Sequence, residues 1–193
     1  HFLNIAGFGY DVAVLEDSWN VAHLEGSALY LYCAVRQLRS YRGFSLEGEA
    51  DGRPQGRSDL LMLIVANARV FGGGFQVAPH ADVADGKLEA VAFANMGFAG
   101  RVSALVRLLR GTHLKHPRVS AVSASRLVYR FAAPPAYETD GEWNQARSAE
   151  IVIEAVPQDV LGMRGRPVVG EQRVEVGFIG RGQLQQHVGQ IGP

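Results

Sequence analysis

Two acidic clusters and one run of glycines hold the residues of this sequence whose types and spacing could do chemistry. Asp140-Gly141-Glu142 sets two carboxylates either side of a glycine, just after Tyr137 and Thr139, in a segment too polar for a simple strand. Paired carboxylates can divide work, one accepting a proton from a nucleophile while the other orients it or touches a metal. An ordinary tight turn reads the same way. Asp82 and Asp85 stand three residues apart, with Gly86-Lys87 behind them. The alternating acids and closing Glu of an EF-hand are absent. Hard cations nevertheless prefer carboxylate and carbonyl oxygens, so the loop suits Mg2+ or Ca2+ held through Asp85 and main-chain oxygens of Asp82 and Lys87. A solvated Asp-Gly turn is the equal alternative. Gly72-Gly73-Gly74 invites a phosphate-cradling loop, but no Lys-Ser/Thr follows, and Pro79 with the two Asp residues stands where a helix would begin. A crossing between two strands accounts for these glycines without a ligand.

The remaining metal-binding and nucleophilic residue types point elsewhere. His113 and His116 sit too close for a His-Glu-x-x-His helix face, Pro117 follows, and no third ligand is near. His80 reads as a surface turn residue. Cys33, the single cysteine, lies beside an apolar stripe with no activating neighbour and reads as a core filler. One cysteine excludes an internal disulfide and fits a reducing, cytoplasmic setting. The 193 residues carry 19 basic and 19 acidic side chains. With the arginines dispersed along the chain and balanced by acids, the sequence offers no basic stripe for nucleic acid, which is not expected as a partner. The longest apolar run, residues 60–66, is too short to span a bilayer, which needs ~20 residues. The chain opens directly into a strand-like segment, as though mid-protein.

The elements that must position these groups follow from periodicity. Residues 2–5 and 11–15 read as short strands around a bend at Gly7-Phe8-Gly9-Tyr10. Residues 24–38 read as a helix packed on a sheet through Leu24, Ala28, Leu31, Tyr32, Val35 and Leu38. Residues 44–49 and 60–68 form a hairpin across a polar turn reaching about Asp59, its second strand central and buried. Residues 88–95 follow as a strand. A second helix over residues 98–110 packs Phe98, Val102, Leu105, Val106 and Leu109 inward and leaves Arg101, Arg107 and Arg110 solvated. Residues 125–131 and 150–156 close the strand set, and the chain beyond about residue 165 reads as an extended or poorly ordered tail. The expected architecture is α+β: a mainly antiparallel β-sandwich with two outer helices, over residues 1–164, with a tail over 165–193.

Taken in order, these pieces resemble the C-terminal domain of the diacylglycerol kinase catalytic family, bacterial lipid kinases grouped with sphingosine kinases and, more distantly, NAD kinases. The resemblance rests on six stretches: the Phe2-to-Asp11 segment around Gly7 and Gly9; the helix ending near Tyr41; Val65-Ala66-Asn67 before the three glycines; Pro79-x-Ala81-x-x-x-Asp85-Gly86-x-Leu88; Gly111-x-His113; and Asp140-Gly141-Glu142. It implies transfer of the ATP γ-phosphoryl group to a primary hydroxyl of a lipid. By it, Glu142 with Asp140 belongs to the acid pair that accepts the hydroxyl proton and faces the bound ATP. Asp82, Asp85 and Lys87 match the loop holding a structural Mg2+. The family's Gly-Gly-Asp-Gly-Thr nucleotide motif, carried on an N-terminal domain, is missing from this sequence, so the resemblance implies a chain inactive by itself that needs that domain as partner. Peripheral membrane contact follows from the substrate class, though no strongly basic amphipathic helix marks where. Homodimer formation is left open, and a non-catalytic lipid-binding module or an NAD kinase relative are the rival readings.

Overall fold

The computed structural model describes residues 4–22, 24–70, 75–156, 173–180 and 183–185. Along the chain these form β1 (Ile5–Gly9), α1 (Tyr10–Ser18), α2 (Gly26–Ser40), β2 (Phe44–Ala50), β3 (Arg53–Ala66), β4 (Leu88–Ala94), α3 (Phe98–Leu109), β5 (Val119–Ala124), β6 (Arg126–Phe131), β7 (Ala136–Thr139), β8 (Glu142–Gln145), β9 (Glu150–Val156), β10 (Arg173–Gly180) and β11 (Gln183–Gln185). All their pairings are antiparallel. They link into one sheet ordered β11-β10-β9-β6-β2-β3-β1-β7-β8, with β4 joining β3 to β5.

The long strand β3 organises this sheet because its two halves answer to different surroundings. Its polar first half pairs with β2 across a two-residue Asp51-Gly52 turn; its apolar second half lies between β1 and β4. Leu63 and Val65 point into one core, with Phe8, Leu127, Ile151 and Ile153. Met62, Ile64 and Ala66 point into a second, beneath the helices, with Ile5, Val14, Leu38 and Phe93. Burial on both faces is why residues 60–66 read as an unbroken apolar run. The polar stretch expected as a long turn is strand instead: Asp51 and Gly52 take φ of 47° and 76°, the left-handed pair that closes a hairpin in two residues.

Two further expectations change. Residues 11–15 are not a strand but the core of α1, since Tyr10, Val14 and Asp17 bury together at helical spacing against the sheet and α2. Three helices rather than two therefore flank the sheet among the described residues. Local β-branched content suggested a strand, and packing overrode it. The helix stripes are also turned over. The buried face of α2 is Cys33, Ala34 and Leu38, while Leu31, Tyr32 and Val35 are exposed; α3 buries Arg101 and Ala104 and exposes Phe98, Val102, Val106 and Leu109. Small residues face inward where the helices approach the sheet and each other, so the large apolar ones face out. The glycine run at 72–74 lies outside the described residues.

Candidate active site

Gly7 sits at the centre of β1, and its missing side chain makes room for a buried pair of acids. A Cβ there would strike Asp11 Oδ2 and come within 2.9 Å of Glu138 Oε1. Asp11 opens α1 and Glu138 lies on β7 directly across from Gly7; both are buried. Tyr30 of α2 donates its hydroxyl to Asp11 Oδ1, and the Gly141 N–H donates to Glu138 Oε2 at 2.8 Å. Two carboxylates this close and this dry cannot both be charged. Burial, reinforced by the charge of Asp11 and the hydrogen bond to it, pushes Glu138 up to about 10. At neutral pH Glu138 therefore carries the proton and donates it to Asp11. Burial and the same neighbour raise the Tyr30 phenol far above its ordinary range, so it stays a donor.

Asp140-Gly141 is the two-residue turn of the β7–β8 hairpin, with φ of 51° and 89° and Thr139 paired to Glu142. Asp140 Oδ1 accepts the backbone N–H groups of Asn4 and Ile5, each at 3.0 Å, and so pins the start of β1 to the turn. Asp51 does the same at the other Asp-Gly turn, accepting from Ser125 and Arg126 at 3.0 and 2.9 Å. A device used twice, once far from this cluster, marks the Asp140 contact as a sheet clamp. Glu142 differs: its side chain is exposed beside Trp143, whose ring packs edge-on to Trp19 at 6.2 Å and donates its N–H to Glu16. The hairpin thus presents Glu142 to solvent while its turn is wired through Gly141 to Glu138, Asp11 and Tyr30.

Asp11 and Tyr30 also line a cavity of about 570 Å3 between α2, α3 and the sheet. Its remaining wall is almost wholly apolar, including Leu38, Met62, Phe75, Phe93, Ala104 and Leu108. Of the phenylalanines that could line a lipid pocket or fill core, Phe75 and Phe93 line this cavity, Phe98 is exposed, and Phe71 lies outside the described residues.

The 82–87 loop is held by its own acids. Asp82 Oδ1 accepts the Ala84 N–H at 3.0 Å and Asp85 Oδ1 the Lys87 N–H at 2.8 Å. Both Asp residues are exposed and border a cavity of about 150 Å3 with His80, Lys87 and the buried Glu89. Glu89 accepts the His80 N–H at 2.9 Å, and burial raises it. Hard cations prefer oxygen donors, and among the described residues no three His, Cys, Asp or Glu side chains here or elsewhere are grouped to hold a metal ion. His113 is core: Nε2 bonds to the Val77 carbonyl at 2.8 Å, its ring stacks on Phe93, and burial lowers its pKa. Cys33 is buried, with its thiol raised by burial.

Sequence reasoning gave no role to Asp11, Tyr30, Glu138 or Glu89. The available signal was an acid set among apolar residues beside a glycine, as Asp11 is by Gly9.

An antiparallel sheet with helices packed against it is an α+β architecture. Residues 4–161 match the family described as the YegS C-terminal NAD kinase beta sandwich-like domain, and the chain belongs to it. It is 24% identical over 165 residues to diacylglycerol kinases of two Mycobacterium tuberculosis strains, covering 86% of this chain and 52% of each relative. The chain thus spans about half the length of the curated relatives it matches. Among solved structures it is similar in fold to a candidate diacylglycerol kinase from Bacillus anthracis, with a TM-score of 0.56 at 16% identity over 79% of this chain and 49% of that one. A crystal structure of a diacylglycerol kinase from the same organism aligns with a TM-score of 0.50 at 16% identity, covering 75% of this chain and 44% of that one.

Proposed function

We propose that this chain is the lipid-binding half of an ATP-dependent kinase that phosphorylates a primary hydroxyl of diacylglycerol or a related lipid. The observation that carries the reading is the apolar cavity whose one acidic wall, Asp11, is wired through Glu138 and Gly141 to the hairpin bearing Glu142. A long-chain substrate buries its tail in such a cavity and keeps its polar end beside carboxylates. Glu142 is the exposed acid that accepts the hydroxyl proton as the hydroxyl oxygen bonds to the γ-phosphorus and the bond to the departing ADP oxygen breaks. Asp140 positions that hairpin and faces the nucleotide. When bound, ATP supplies the phosphoryl group and Mg2+ neutralises its charge. Asp85, with the main-chain oxygens of Asp82 and Lys87, would hold a separate structural cation in the loop before β4. The nucleotide is held mainly by a partner domain outside this chain.

The test is direct. With MgATP and diacylglycerol, this chain alone should make no phosphatidic acid, whereas the longer parent should. In the parent, Glu142→Gln should cut turnover by about 10²–10⁴-fold, the usual worth of a positioned general base. Unchanged turnover in that variant, or robust turnover by the isolated chain, would sink the assignment.

A further inference from the structure

Across β3 from the large apolar cavity lies a smaller one of about 150 Å3. Leu60 and Leu63 of β3 line it, whereas Met62 and Ile64 line the larger cavity on the strand's other face. It shares no residue with the Asp11 cluster or with the Asp140-Gly141-Glu142 hairpin. The space exists because Gly48 of β2 and Ala90 and Ala92 of β4 stand where leucines, isoleucines and phenylalanines fill the rest of the same core. An apolar void of this size forfeits dispersion contacts when empty, and it accommodates a molecule about as large as benzene.

Three hydroxyls border the same space: Tyr129 of β6, only 6% exposed, with Ser58 of β3 and Ser120 of β5. Among the described residues none of the three side chains makes a hydrogen bond. A buried tyrosine hydroxyl ordinarily has a partner. Burial alone raises the Tyr129 phenol, so it stays protonated and free to donate. The one charged residue among those described at this cavity, Glu49, is paired with Arg130 at 3.8 Å, which leaves no charge for a ligand to answer. Several water molecules would each need two to four polar partners, and walls of Gly, Ala, Val and Leu side chains cannot supply them. What fits is apolar over most of its surface and carries a hydrogen-bonding group.

We propose that this cavity is a second binding site, for a neutral molecule of about six to eight heavy atoms with a compact apolar body and one hydroxyl, such as a phenol or a cyclic alcohol. The ligand hydroxyl accepts from Tyr129 and donates to Ser58 or Ser120. The apolar body lies against Gly48, Ala90 and Ala92. The site is independent of the kinase reading, since it belongs to the other core.

Titration of the isotope-labelled chain with phenol, followed by NMR, tests the site against two controls: benzene, which lacks the hydroxyl, and glycerol, which lacks the apolar body. Phenol should shift the Ala90, Ala92 and Val122 methyl signals saturably and show nuclear Overhauser contacts to them, and glycerol should do neither. Benzene should bind about 3–10-fold more weakly, the worth of one neutral hydrogen bond. Tyr129→Phe should bring phenol down to the affinity of benzene, and Ser120→Ala, at an exposed position, should weaken phenol alone. Ala92→Leu fills the space and should abolish both. Entry of either molecule into the larger cavity is read separately at the Ala34 and Ala104 methyls, which line it, and should be the same in every variant. No saturable shift with phenol at the first three methyls means that the cavity holds water only, and overturns the proposal. Equal affinity for phenol and benzene, or phenol binding untouched by Tyr129→Phe and Ser120→Ala, overturns it too. Should Ala92→Leu fail to fold, those two variants decide the matter.

Discussion

At the residue scale, the Asp11–Glu138 pair makes stability depend on pH in a definite sense. Glu138 is raised in the folded state, so folding holds a proton that the unfolded chain releases above the ordinary carboxylate range. The native state is therefore favoured below the unfolded pKa and loses ground as pH rises towards about 10. Glu138→Gln keeps a donor towards Asp11 without a titrating proton. Its melting temperature should exceed the parent's at pH 8.5 and match it near pH 4.5, and a constant difference between the two would refute the shared proton. The aspartates of the two Asp-Gly turns separate clamp from chemistry. Asp140→Ala and Asp51→Ala each remove a charged acceptor from two backbone N–H groups and should each cost about 1.5–3 kcal/mol, measured by urea unfolding. Glu142→Gln should leave stability unchanged.

At the scale of elements, Arg101 ties α2 to α3. Expected on a solvated face, it is buried, and its guanidinium donates to the carbonyls of Leu38 and Tyr41 at the end of α2, to Met96 O before α3, and to Asn95 Oδ1. The Leu38 and Tyr41 carbonyls would otherwise end α2 unsatisfied. Arg101→Met should cost about 3 kcal/mol or more, and Arg101→Lys should recover only part, because an ammonium cannot reach four acceptors in a plane. Equal stability of all three proteins would show the clamp to be idle.

At the scale of the whole molecule, the cavity between two layers predicts ligand-linked stability. Monoacylglycerols of increasing chain length should raise the melting temperature progressively, each buried methylene contributing up to about 0.8 kcal/mol until the cavity is full. Ala104→Leu, which narrows the wall, should move the limit to shorter chains. A melting temperature indifferent to chain length would argue against an acyl tail in this space. Among the described residues no helix is long and apolar enough to cross a membrane.

The sequence by itself determined β2, the second half of β3, β4, β6, β9 and the Asp140-Gly141 turn, because these are local: alternation over residues 126–131, an unbroken apolar run in β3, and an Asp-Gly pair whose backbone preference needs no partner. It could not determine which side of a helix is the inside. Leu31, Val35, Phe98 and Val106 form amphipathic stripes that read as core, and only the placement of small Cys33, Ala34 and Ala104 against the sheet turned those stripes outward. Nor could it bring Asp11, Tyr30 and Glu138 together across more than a hundred residues, since that meeting depends on β1 pairing with β7 and on a glycine leaving space for both acids. The acids of the Asp140-Gly141-Glu142 hairpin stood out as a local pattern. Their division into a clamp and an exposed acid is a property of the tertiary hydrogen bonds, which the Asp140 carboxylate makes to β1 and the Glu142 carboxylate does not.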